Sequence, residues 1–181
     1  MTAGETAPPS IEIRRLGSAE EARLCARMMA GSEPWITLSR GYEESLALVE
    51  DLSREVYGAF AEGRVRGFVI LNMSGSFTGY VQTVCVGAQD RSRGIGSLLM
   101  RFAEERIFRE SPNVFLCVSS FNPRAKALYE KLGYEMVGEL KDYLVRGHSE
   151  YLLRKTIAPL REFRKEAAGP SPPSPPGRGK G

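Results

Sequence analysis

Arg91-Ser92-Arg93-Gly94-Ile95-Gly96-Ser97 sets two arginines and two glycines immediately before an apolar-periodic stretch. Glycines at such a point let successive backbone N–H groups converge with no Cβ in the way, and the unsatisfied donors of a helix's first turn add to them. The chemistry is anion binding, with a phosphate-bearing ligand as occupant and Arg91 and Arg93 at its rim. The run lacks the lysine and hydroxyl of the nucleotide loop GxxxxGK[ST]. Gly96 is followed by Ser97, Leu98 and Leu99, so the dinucleotide fingerprint GxGxxG is missing too.

A second block, Asn122-Pro123-Arg124-Ala125-Lys126-Ala127-Leu128-Tyr129-Glu130-Lys131-Leu132-Gly133-Tyr134, carries a capping residue, a phenol and a terminating glycine at fixed offsets. Taken together, R-x-x-G-x-G after a Val-rich strand and N-x-x-A-x-x-L-Y-x-x-x-G-Y resemble the GCN5-related N-acetyltransferase (GNAT) superfamily over roughly residues 11–156. The motifs are closest to those of bacterial ribosomal-protein N-terminal acetyltransferases. The resemblance implies a mixed α/β fold: a mostly antiparallel sheet with one parallel βαβ unit, a splayed acyl-CoA cleft and helices on both faces. It also implies acetyl-CoA as acyl donor, no metal, and an amine acceptor that is a small molecule or a protein N-terminus.

Site roles follow from the same resemblance. The pyrophosphate is expected over Ser92, Arg93, Gly94, Ile95, Gly96 and Ser97, with Arg91 beside it. The backbone of Val84, Cys85 and Val86 is expected to pair with the pantetheine and to polarise the thioester carbonyl, a preorganised contribution of roughly 3 kcal/mol per donor. Asn122 would hydrogen-bond the pantetheine arm, cap its helix, or both. Tyr129 is the expected general acid toward the CoA thiolate, although a phenol near ~10 is a weaker acid than a thiol near ~8.5. The relatives carry a glutamate on the strand before the asparagine, where this chain has Cys117, so the base is open. Glu33 and His148 are the candidates, with Asp142 and Tyr143 behind them. At pH 7 an α-amine near ~7.8 is far more often neutral than a lysine near ~10.4, so a chain without a carboxylate base would favour α-amines.

Those residues need a scaffold. Residues 11–16 alternate like an edge strand; Ser18 reads as an N-cap for a helix with Leu24, Cys25, Met28 and Met29 on its apolar stripe, ending at Gly31. A second helix is expected from Ser39, carrying Leu46, Val49 and Leu52. Residues 55–73 read as a hairpin turning at Glu62-Gly63. The strand Val81, Val84, Val86 then leads to a helix reaching Arg109, with Ile95, Leu98, Leu99, Phe102 and Ile107 inward and Arg101, Glu104, Glu105 and Arg109 outward. Residues 113–119, NVFLCVS, resemble a strand buried on both faces, and strand, helix and strand form a right-handed parallel unit. A closing hairpin is expected from Tyr134 to Val145 and Ser149 to Lys155.

Composition bounds the rest. At 181 residues and 42% hydrophobic the chain has room for one ordinary domain, expected at residues 11–160 between a flexible start (1–10) and a tail (161–181) whose last thirteen residues, GPSPPSPPGRGKG, hold five of the chain's eleven prolines. The net charge of +3 includes Arg178 and Lys180 of that tail, so no nucleic-acid partner is implied. No leader-like or membrane-spanning run is present, and a cytoplasmic protein is expected. Cys25, Cys85 and Cys117 show no metal-type spacing and read as reduced, buried thiols. A monomer or a homodimer is compatible with the pattern, the dimer through an exposed edge at residues 143–153. Two other readings use the same cradle: a non-catalytic acyl-CoA-binding or interaction domain of this fold, and a nucleotide or phosphosugar binder.

Overall fold

A computed structural model describes residues 10–164. The expectations for residues 1–9 and 165–181 lie outside the described residues. Seven strands form one sheet in the order β1-β2-β3-β4-β5-β7-β6. They are β1 (Glu12–Arg15), β2 (Glu55–Ala61), β3 (Arg64–Asn72), β4 (Tyr80–Val86), β5 (Asn113–Ser119), β6 (Glu135–Lys141) and β7 (Ser149–Thr156). Helices α1 (Ala19–Ala30) and α2 (Tyr42–Val49) lie between β1 and β2, α3 (Ile95–Phe108) joins β4 to β5, and α4 (Pro123–Lys131) follows β5. Every strand pairing is antiparallel except β4 with β5, as the motif resemblance implied.

Each face of the sheet has its own core. On one, Leu99, Met100, Ala103 and Ile107 of α3 pack with Val69, Leu71, Val114, Leu116 and Leu153. On the other, Cys25 and Met29 of α1 pack with Phe68, Ile70, Cys85 and Trp35. Fully burying a side chain of the Leu, Ile or Met class contributes about 1.5–3 kcal/mol, so α3 is anchored by several such residues, and α1 by Met29 with the smaller Ala22, Cys25 and Ala26 beside it. Ser18 caps α1 as expected: its Oγ accepts from Glu21 N at 3.2 Å while the Glu21 carboxylate accepts from Gly17 N at 2.6 Å.

β4 explains a spacing that plain alternation does not. Val81 and Val84 are three residues apart yet face the same core, because the register slips between Ile70↔Thr83 and Leu71↔Val81, leaving Gln82 as an extra residue. Such a bulge bends its strand and re-aims the side chains beyond it. The β4–β5 pairing is correspondingly short: Tyr80 with Phe115 and Val81 with Leu116. Beyond those pairs the two strands part, and a wedge opens between residues 84–86 of β4 and 117–119 of β5.

Several expectations are corrected. Ser39 does not start α2; it has φ of 53°, and Gly41 is the N-cap. Leu52 lies past the end of α2 and is fully exposed. Leu98 is on the outer side of α3, whereas Glu104 is buried and its carboxylate accepts from Lys155 Nζ at 2.7 Å. β5 is not buried on both faces along its length: Val114, Leu116 and Val118 are buried, whereas of the alternate residues Asn113, Phe115 and Cys117 are only partly so and Ser119 alone is buried. The free edge of the closing hairpin is β6, since β7 is hydrogen-bonded on both sides; the edge expected at residues 143–153 is therefore half interior. Cys117 is half-buried rather than enclosed.

Candidate active site

The wedge is the throat of two joined cavities. The larger, about 500 Å³, runs from Val84, Cys85 and Val86 along Arg91, Ser92 and Gly94–Ser97 to Asn122, Ala125, Leu128 and Tyr129 of the α4 segment. At its floor Gly94 is the N-cap of α3 in the left-handed conformation, φ 83°, with Ser92 at φ 65°. A Cβ on Gly96 would sit 3.6 Å from Leu128 Cδ2 and 3.8 Å from Val86 Cγ2, so a larger side chain there would fill the cradle. Conformation calls for glycine at the first position, whereas the second has room for a methyl group and nothing larger without intruding on the cradle.

Charge is arranged differently from the sequence expectation. Arg93 is exposed, lies 3.7 Å from Asp90 Oδ1, and is not part of the cavity wall. Arg91 lines the cavity, but its Nε donates to Val86 O at 3.3 Å and its Nη2 to Ser32 Oγ at 3.1 Å. It therefore ties the loop to the end of α1 as well as supplying charge. The remaining cations come from α4: Arg124, whose Nη2 donates to Ser92 Oγ at 2.6 Å, and Lys131. Sequence reasoning passed over both, although they lie in the quoted block, because the side of α4 that meets the loop is set by tertiary packing.

The second cavity, about 400 Å³, continues past Tyr129 and Asn122 to the other side of the wedge, among Trp35, Arg40, Tyr80, Thr83, Cys117, Ser119, Tyr143, Leu144 and Glu150. Glu33, Trp35, Val84, Asn122, Ala125 and Tyr129 line both cavities. Asn122 caps α4, its Oδ1 accepting from Ala125 N at 3.2 Å. Tyr129 packs edge-on to Tyr134 with ring centroids 5.9 Å apart, and burial pushes its phenol up to about 12.

The expected base candidates scatter. Glu33 is at the mouth of both cavities, its carboxylate accepting from Thr37 N at 3.2 Å. Tyr143 lines the second cavity. His148 lines neither; its ring meets Phe121 at 5.0 Å beside the β6–β7 turn. Asp142 accepts from Gly147 N at 2.6 Å and is occupied with that same turn. Cys117 is at the cavity wall beside Tyr80, and burial raises its thiol. The premise that the chamber lacks a deep carboxylate is overturned by Glu150, which is 4% exposed and accepts a hydrogen bond from Ser119 Oγ. A glutamate on an inner strand was the available signal, but only the strand order places it opposite Ser119.

A glycine cradle at a helix N-terminus, feeding a wedge between two parallel strands, defines a transferase that draws an extended phosphate-bearing thioester toward an acceptor chamber. The model of the Acetyltransferase (GNAT) family matches residues 21–134. The chain is 30% identical over 160 residues to N-alpha-acetyltransferase RimI of Mycobacterium tuberculosis, covering 86% of this chain and 96% of that protein. Among solved structures it is similar to an aminoglycoside 6'-N-acetyltransferase complexed with coenzyme A, with TM-score 0.67, 19% identity, and 82% and 98% of the two chains covered. Spermidine N-acetyltransferase SpeG of Vibrio cholerae superposes with TM-score 0.64 at 16% identity, covering 81% and 93%. The protein belongs to the GNAT family and is an acetyl-CoA-dependent N-acetyltransferase. Among the described residues no helix is long and apolar enough to cross a membrane, and no group of three His, Cys, Asp or Glu could hold a metal ion.

Proposed function

We propose that the acceptor is the α-amino group of a peptide or protein, met in the cytoplasm, with small molecules bearing one primary amine as the next class. The observation that carries this reading is the second cavity, which opens on the first through Tyr129 and Asn122 and mixes charge of both signs. Glu33 and Glu150 suit an ammonium, while Arg40 suits the carbonyl or carboxylate oxygens that lie next to an α-amine. A polycation would meet Arg40 with like charge. The similarity to RimI over nearly that protein's whole length supports the same class.

Bound acetyl-CoA supplies an acyl group activated as a thioester, which the amine nitrogen takes with cleavage of the C–S bond. The chain's part is to hold and polarise. Residues 94–97 and the cations Arg91, Arg124 and Lys131 receive phosphate charge. Residues 84–86 of β4, whose side toward β5 is left unpaired by the wedge, offer backbone groups to an extended arm and to the carbonyl oxygen. Tyr129 stays protonated at physiological pH, and as a weaker acid than a thiol it stabilises the leaving sulfur as a hydrogen-bond donor more than by complete transfer.

Mass spectrometry of three acceptors offered with acetyl-CoA tests the reading: a short peptide with a free α-amine, the same peptide blocked at its N-terminus but bearing a lysine, and spermidine. The free α-amine is expected to be acetylated fastest. Acetylation of lysine or spermidine with none of the α-amine would overturn it.

A further inference from the structure

Glu150 stands apart from the other carboxylates of the two cavities. Glu33 is exposed at the mouth, and Asp90 faces Arg66 and Arg93 at 3.7 Å each. Glu150 is almost fully buried, yet among the described residues its one donor is the neutral Ser119 hydroxyl, and no lysine or arginine pairs with it. A buried carboxylate so poorly compensated costs stability. Structure retained at such a cost clusters where a site uses it.

Its position is specific. Ser119 ends β5, the strand that forms one wall of the wedge, and Glu150 of β7 pairs directly across from it. The carboxylate thus lies one strand away, about 5 Å, from the gap in which the thioester carbonyl is to be received. We propose that Glu150 is the base that takes the proton from the acceptor's ammonium group. This rests on the amine-acetylation reading above.

The proton balance is simple. The ammonium N–H bond breaks, its electron pair stays on nitrogen for attack on the carbonyl carbon, and the proton goes to a Glu150 oxygen and then to solvent. The nitrogen's second proton, lost as the amide forms, balances the one that the departing sulfur acquires. Groups facing Glu150 across the cavity are Ser119 and Cys117 of β5, Tyr80 of β4 and Tyr129 of α4. Tyr143 approaches from the β6–β7 connection, and Glu33 and Arg40 from the segment between α1 and α2. The buried tyrosines among these are held in the neutral form, and burial raises the Glu150 carboxyl above its ordinary value, opposed by the Ser119 hydrogen bond. A raised carboxyl is a better proton acceptor once ionised.

The test is Glu150→Gln, nearly isosteric, assayed with the free α-amine peptide from pH 5.5 to 9. Wild type is expected to reach a plateau in kcat/KM below the pKa of the amine, because Glu150 draws on the abundant ammonium form. The variant must wait for free amine, so its rate is expected to climb with unit slope to about pH 8. The gap between them at pH 6 is then roughly fifty-fold wider than at pH 9. A defect of the same size at every pH, or none, would overturn the assignment. Ser119→Ala, which removes the hydrogen bond but not the base, is expected to move the wild-type rise to higher pH; an unmoved rise counts against the assignment. Acetyl-CoA-induced thermal stabilisation, expected to be equal in wild type and E150Q, shows that the cofactor cleft is intact. Wild type that binds acetyl-CoA but acetylates none of the three acceptors would overturn the amine reading instead, and the base with it.

Discussion

At the scale of single residues, burial decides which groups in and behind the cleft exchange protons. The thiols of Cys25 and Cys85, pushed up to about 12, stay protonated and inert. The Tyr129 phenol reaches a similar value, but it opens on both cavities, so its proton is available to a ligand. Tyr129→Phe is therefore expected to lower turnover at least tenfold while acetyl-CoA affinity, read by titration calorimetry, changes less than twofold; unaltered turnover would remove the phenol from the reaction. Asn122 and the glycines at 94 and 96 could be placed from the sequence because each lies at its own helix start, whereas Tyr129, in the last turn of α4, was singled out by the motif resemblance alone. Arg93 was not, since a loop residue's direction depends on Ser92 adopting φ of 65°. Glu150 escaped notice because its meaning depends on a partner 31 positions away.

At the scale of elements, the wedge needs an apex as well as an opening. Gly79, at φ 89°, enters β4 where the two parallel strands are still together: Phe115 N donates to its carbonyl at 3.0 Å. A Cβ there would meet Asn113 O and Ile107 Cγ2, each at 2.5 Å, so backbone and core would both have to move. Gly79→Ala is expected to destabilise the fold by about 2–4 kcal/mol, read by urea unfolding; a loss under 1 kcal/mol would mean that the apex is pliable. Strand and helix existence was readable from periodicity and caps, as Ser18 and Asn122 show. The bulge at Gln82 was visible only as Val81 and Val84 breaking the two-residue period. The order of β7 before β6 was not readable at all, because a hairpin's sequence does not say which arm faces the sheet.

At the scale of the whole molecule, ligand and stability are linked. Acetyl-CoA at a hundredfold excess over its Kd should stabilise the native state by about 2.7 kcal/mol, a rise of several degrees in Tm. ATP and NAD, which share phosphates but lack the arm that the wedge accommodates, are expected to give little. Equal shifts from all three would show a general phosphate cradle rather than a thioester site.

The placement of β7 also constrains the order of events during synthesis. β6 leaves the ribosome before β7, yet it reaches the sheet only through β7, which pairs with β5 on one side and β6 on the other. When the chain has emerged through Lys141, β1 to β5 and α3 have all been made, but β6 has no strand to pair with and Ser119 has no carboxylate across from it. The cradle for the donor is encoded early and the acceptor chamber is closed last, so a truncated product would retain the phosphate loop without Glu150.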